Sequence, residues 1–244
     1  MIKRQFLSSV FFLPLLIFTM SAQNLTYPLP KNSHDALMQI HLIIKKIDGH
    51  QTQANFTLSD IRFGKGKQNV LQVAIQHNLN DFAKQLITNG FKIDTVDDDN
   101  YTALHTAVRH ANVEMVNLLL EQGANPNAKN NHGDSPFSLA VCPSLIHPFQ
   151  NTFAIISAFL CNEKLAINQQ NKTGETALHY LFYCQPMNFE QKEILYSLLC
   201  KHGASTFICN EQSLTPWSLL KSMKKTKYND KSNKISRGYF GIFS

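Results

Sequence analysis

The sequence predicts an all-α repeat solenoid of helix-turn-helix units joined by short β-hairpin-like fingers. The first observation is a recurring string: Tyr101-Thr102-Ala103-Leu104-His105-Thr106-Ala107 returns as Glu175-Thr176-Ala177-Leu178-His179-Tyr180-Leu181. The second is its phase. The apolar position recurs as Leu71, Leu104, Phe137, Leu178 and Trp217, in steps of 33, 33, 41 and 39 residues. The third is a glycine that closes an apolar run in the same phase, at Gly90, Gly123 and Gly203. Self-similarity at a period of roughly 20–50 residues marks stacked supersecondary units, none of which buries its apolar face alone.

Each element of the unit has a physical reason. Thr102 or Thr176 at a first-helix start supplies a side-chain oxygen to an unpaired backbone N–H. Leu and Ala on the following turn face the neighbouring unit. Met115, Val116, Leu118, Leu119 and Leu120 give the second helix one broad apolar face. Gly90, Gly123 and Gly203 suit a left-handed residue just past a helix end. Looser copies begin at Gln68, Asp134 and Leu214, and the third unit has Lys164 where the glycine belongs. Pro143 to Asn151 and Pro186 to Phe189 lengthen the connections inside the third and fourth units.

These residues resemble the ankyrin family, whose pattern is Gly-x-Thr-Pro-Leu-His-x-Ala-Ala, a Val-Val-x-Leu-Leu-Leu helix, then Gly-Ala and Asn. Thr102 to Val108, Met115 to Leu120 and Gly123-Ala124-Asn125-Pro126-Asn127 match it along its length. The resemblance spans residues 67–220, about four repeats plus a partial last one. Asn100 departs from the pattern where its first glycine stands.

Both ends of the chain read differently. Lys3 and Arg4, an apolar run from Phe6 to Ile17 and the small or neutral residues Thr19 to Ala22 have the order of a secretory signal peptide over residues 1–22. That run is short of the roughly 20 residues that cross a bilayer. An uncleaved anchor, giving a membrane-tethered scaffold, is the alternative. Residues 23–66 read as a linker with Pro28 and Pro30, then a degenerate helical cap. Leu37, Ile40, Ile44 and Ile47 are spaced for its helix and Thr57 to Ile61 form its second segment. Residues 221–244 read as a flexible basic tail: seven basic side chains against Asp230 give it a net +6, the value for the whole chain. The body between is mildly acidic, which argues against a nucleic-acid partner.

Nothing in the sequence carries catalytic spacing, so the chain is read as a non-enzyme. His105 and His179 occupy the ankyrin Leu-His position, and the resemblance implies hydrogen bonds from their imidazoles to loop backbone. No HExxH or paired His–carboxylate spacing occurs. Asp97-Asp98-Asp99 lacks the spacing of a calcium loop, so no metal and no cofactor is expected. None of the five cysteines forms a CxxC pair. Cys161 and Cys200 are placed on apolar helix faces as small hydrophobes.

In ankyrin proteins the fingers and first helices form a concave face that holds a partner. Carried over, the tips are Asp97, Asp98, Asp99, Asn100 and Tyr101, then Lys129, Asn130, Asn131, His132 and Asp134, then Asn171, Lys172 and Glu175. The inner-helix positions are Thr106, Arg109 and His110, with Gln76, His77 and Tyr183 in neighbouring repeats. The resemblance thus implies a monomeric protein-binding module, and the order of residues 1–22 implies that it is exported, without stable membrane insertion after signal cleavage. Its alternative is an accessory subunit of an enzyme, with the basic tail as address.

Overall fold

The structure is a computed structural model that describes residues 26–36, 38–40, 61–141, 148–183 and 187–225. The signal span 1–22, the cap positions Ile44, Ile47 and Thr57 to Asp60, Cys142, Pro143 to His147, Cys184, Pro186 and the tail from Thr226 lie outside the described residues. In chain order the elements are β1 (Thr26–Tyr27), α1 (helical residues 33–36 and 38–40), β2 (Arg62–Phe63), β3 (Gln68–Asn69) and α2 (Val70–Gln76). There follow α3 (Asn80–Thr88), α4 (Ala103–Arg109), α5 (Val113–Glu121), α6 (Pro136–Val141) and α7 (Phe149–Leu160). The chain continues through α8 (Ala177–Tyr183), α9 (Phe189–Lys201) and α10 (residues 216–225).

The fold is an all-α solenoid. The inner helices α2, α4, α6 and α8 stack on one another, and each packs against the outer helix that follows it. Leu71, Leu104, Phe137 and Leu178 are buried at the shared apolar position, and Met115, Val116 and Leu119 bury the outer face of the second repeat. The cap helix joins the same core through Ala36 and Ile40.

One device starts every inner helix. The cap residues Asn69, Thr102, Ser135, Thr176 and Thr215 donate their backbone N–H to the side chain three residues on, at 2.9–3.1 Å. Those acceptors are Gln72, His105, Ser138, His179 and Ser218. Each satisfies a donor that the helix start would otherwise leave unpaired. Because Nδ1 of His105 and His179 accepts, Nε2 carries the proton. It donates to Asp134 O at 3.2 Å and to Leu214 O at 3.1 Å. Gln72 does the same to Tyr101 O at 2.8 Å. One side chain therefore closes its own helix cap and ties its repeat to the next.

Several sequence expectations are corrected. Trp217 holds the phase of the buried leucines but is 51% exposed; α10 has no outer helix over it among the described residues. Cys161 is exposed at the end of α7, because the turn after Leu160 carries it off the apolar face, and Cys200 is only half-buried. Residues 221–225, assigned to the tail, continue α10. Phe149 to Asn151 and Phe189 are the first turns of α7 and α9, not connection. The linker contains a strand: Thr26–Tyr27 pairs in parallel with Arg62–Phe63, which pairs antiparallel with Gln68–Asn69.

Candidate recognition surface

The fingers are built by a second repeated device. Asp97, Asn130, Asn171 and Asn210 each open a finger, and the Oδ1 atom of each accepts backbone N–H groups two and four residues on. The distances are 3.0 and 2.8 Å from Asp99 and Tyr101, and 2.9 and 2.9 Å from His132 and Asp134. They are 3.0 and 2.9 Å from Thr173 and Glu175, and again 3.0 and 2.9 Å from Gln212 and Leu214. The backbone N–H of each opener donates to the carbonyl of the fourth residue on, closing the hairpin.

Neighbouring fingers are joined edge to edge. The N–H groups of Asp98, Asn131, Lys172 and Glu211 donate to the carbonyls of Gly66, Asp99, His132 and Thr173, at 2.9–3.1 Å. This close approach explains two glycines. Gly133 and Gly174 have φ of +81° and +76°, and a Cβ on Gly133 would meet Lys172 N at 2.7 Å. Asn100 takes the same left-handed turn at φ 59°, and its side chain donates to Asn131 Oδ1 at 2.6 Å.

This architecture sorts the sequence-predicted residues. Asn130 and Asp134 are buried, and Asp134 accepts from the Tyr180 hydroxyl and from Asn171 Nδ2. Asp97, Asn130 and Asn171 direct their side chains into the hairpin as clamps. Glu175 is half-buried at the end of its finger. Asp98, Asp99, Asn100, Lys129, Asn131, His132 and Lys172 are exposed along the row of tips. His77 is half-buried, and its carbonyl accepts the Ser33 hydroxyl at 3.0 Å. Tyr183 lies in the fourth repeat and accepts from Asn210 Nδ2 at 3.3 Å.

Seven of the predicted positions come together. Gln76, Asp97, Asp99, Tyr101, Thr106, Arg109 and His110 line one cleft of about 950 Å³. The Arg109 guanidinium lies over the Tyr101 ring, 5.1 Å from its centroid, and Tyr101 meets His105 edge-on at 5.4 Å. Burial drives the His105 imidazole down to a pKa of about 4, so it is neutral in the Nε2–H form. Burial also raises the Asp97 carboxyl above its ordinary range, opposed by the N–H groups of Tyr101 and Asp99. The Lys129 and Asn171 groups stand further along the finger row and do not line this cleft.

Sequence reasoning missed another part of the lining, Tyr27, Pro28, Leu29 and Phe63. No periodic signal marked it, because β1 and β2 are two residues each, too short for alternation to be read. Among the described residues no group of His, Cys, Asp and Glu is placed to hold a metal ion, and no helix is long and apolar enough to cross a membrane.

Comparison with known proteins matches residues 33–130 to a family model of three ankyrin repeat copies. The match begins within α1. A transient receptor potential cation channel subfamily A member 1 homolog of Caenorhabditis elegans is 34% identical over 127 residues, 45% of this chain and 10% of that protein. Ankyrin repeat protein OPG189 of Variola virus is 31% identical over 140 residues, 54% of this chain and 23% of that protein. A putative ankyrin repeat-containing protein of Treponema pallidum is 37% identical over 73 residues, 30% of this chain and 24% of that protein. The chain thus spans a quarter or less of the length of these relatives.

Proposed function

Because the chain is an ankyrin-repeat protein, and ankyrin repeats are protein–protein interaction modules, we propose that it binds one protein partner through its exposed finger tips and the cleft of its second repeat, without catalysis. The observation that carries this reading is the split between fixed and free side chains on each finger. Clamp residues repeat in chemistry because the hairpin needs them. The exposed tips, Asp98-Asp99-Asn100, Asn131-His132 and Lys172-Thr173, share neither charge nor shape. Asn100 and Asn131 bond to each other across neighbouring fingers, whereas the side chains of Asp99, His132 and Lys172 make no hydrogen bond or ion pair among the described residues that the finger row requires. Arg and Tyr, which stack in the cleft, are the residue types enriched at binding hot spots.

The test replaces Tyr101 and Asp98 together by Ala. Its readout is the affinity for a partner first captured on the immobilised wild-type chain and then purified. Binding should weaken by more than about 1 kcal/mol, while unfolding moves by about 1 kcal/mol or less. Removal of residues 226–244 should change only salt-sensitive association. Specific binding lost on that truncation and kept by the double variant overturns this reading.

We also propose export, with cleavage near Ala22, and action as a monomer. The charged, apolar and small-residue order of residues 1–22 supports the first. N-terminal sequencing of the extracted protein decides it, since recovery of Met1 contradicts cleavage.

A further inference from the structure

The cleft of the second repeat has walls from two distant parts of the chain. One wall is fixed to the first finger. The Tyr27 carbonyl accepts the Gly64 N–H at 2.7 Å, and the Tyr27 ring meets Phe63 at 5.9 Å. Leu29 lies against Gly64, where an added Cβ would come within 3.3 Å of the Leu29 Cβ. Beyond it Pro30 is buried and Ala36 enters the core. Leu29 keeps 43% of its surface exposed. With half-buried Tyr27 and exposed Pro28 beside it in the lining, Leu29 forms a contiguous apolar strip on the cleft, and contiguous rather than single exposed apolar residues mark interaction sites.

The other wall is rich in acceptors. Asp99 is exposed and no ion pair among the described residues reaches it; Lys67 pairs with Asp98 instead, at 3.6 Å. Lys65 also lines the cleft, yet no ion pair joins it to Asp97 or Asp99. The Arg109 guanidinium lies over the Tyr101 ring, 5.1 Å from its centroid. Gln68 Oε1, in the same cleft, is a buried acceptor with no donor among the described residues. The Asp99 charge adds to burial in raising the Asp97 carboxyl, whereas no cation appears among the causes that act on it. The Asp99 carboxylate and Gln68 Oε1 therefore leave acceptors open to a donor or cation, while Tyr27, Pro28 and Leu29 offer apolar surface in the same cleft.

We propose that Tyr27 and Leu29 join Asp99 and Tyr101 in one composite cleft, which receives an extended segment of the protein partner carrying an apolar side chain beside a lysine or arginine. The apolar side chain covers Leu29, and the cation lies at Asp99. A cleft of about 950 Å³ is at the upper end of small-molecule sites, roughly 300–1,000 Å³, and holds several side chains. This inference rests on the protein-binding reading above and narrows it to a binding motif.

The test selects displayed random nine-residue peptides on the immobilised full-length chain. Enriched peptides should share an apolar residue adjacent to lysine or arginine. A synthetic peptide of that consensus should lose about tenfold or more in affinity for Leu29→Ser and for Asp99→Lys, each with an unchanged unfolding midpoint. Exchanging the peptide's basic residue for Glu should restore binding to Asp99→Lys. No enrichment, enrichment without the apolar–basic pair, or full affinity for Leu29→Ser overturns the composite cleft. If the selected peptides ignore Leu29→Ser but fail on Lys172→Glu or His132→Ala, the composite cleft is wrong and the finger-tip reading stands. If they ignore all of these changes, both readings fall.

Discussion

Leu104 and Trp217 occupy the same position of the repeat, yet Leu104 is 0% exposed and Trp217 is 51% exposed. Leu104 sits on α4, with α2 before it, α6 after it and α5 across it. Trp217 sits on α10, which has neither a following repeat nor an outer helix among the described residues. The end of the array also leaves Phe207 at 75% and Ile194 at 52% exposure. The repeat motif thus specifies which side chain points inward, while burial is supplied by the neighbouring repeat, as expected for a quasi-one-dimensional stack.

The sharpest way to break this comparison is to truncate both residues. Leu104→Ala should cost about 2–5 kcal/mol, since it leaves a cavity among fully packed neighbours. Trp217→Ala should cost under about 1 kcal/mol, because a half-exposed side chain loses little burial and leaves no void. Denaturant unfolding of the two variants checks this, and equal losses would mean that the end of the stack is as well packed as its middle.

The second comparison is between His105 and Gln72, which do the same work in adjacent repeats. Both accept from the cap N–H and donate to the next repeat, but only the histidine titrates. Its folded pKa of about 4 lies below the unfolded value of about 6.5. The unfolded chain therefore takes up the proton first as pH falls. The stability that neutral His105 contributes is full above about pH 6.5 and is lost progressively down to about pH 4, a loss of about 3 kcal/mol. His105→Gln should keep both hydrogen bonds and remove most of this acid loss. Unfolding curves at pH 7, 5.5 and 4 for the wild type and the variant give the answer.

Most of the fold was legible because 33-residue phasing and helix caps are local signals. Thr102, Thr176 and both capping histidines are identifiable from four consecutive residues each. Three features were not legible, for physical reasons. The pairing of Thr26–Tyr27 with Arg62–Phe63 joins two-residue strands far apart in the sequence, and so short a strand has no periodicity to read. Cys161 sits at a helix end, where a shift of one residue moves a side chain from core to solvent. Asn130 and Asn131 are adjacent and identical in chemistry, yet one is a buried clamp and the other an exposed tip. Only the hairpin geometry separates them.

That pair yields the third prediction. Asn130→Ala removes the acceptor of two N–H groups, one buried and one part-buried, and should cost about 1–3 kcal/mol. Asn130→Asp should lose less, since Asp97 fills the same role in the preceding finger, and since Asn130 Nδ2 is a buried donor without a partner among the described residues. The replacement introduces a buried charge held by the two N–H groups, so it should fall between wild type and Asn130→Ala in thermal unfolding.

The smallest expected effect is the most informative about function. His132 lies two residues beyond the Asn130 clamp, at the exposed tip. Its N–H is held by Asn130 Oδ1 and its carbonyl accepts the Lys172 N–H. Both bonds belong to the backbone, so the imidazole is not needed to hold the finger or the ladder. His132→Ala should therefore shift unfolding by less than about 0.5 kcal/mol. The backbone bonds persist in the variant, so hydrogen exchange at the Lys172 amide should be unchanged. A larger loss would mean that the tip side chain is spent on the fold. A neutral result leaves tip identity free of any folding constraint, the condition under which a binding partner can set it.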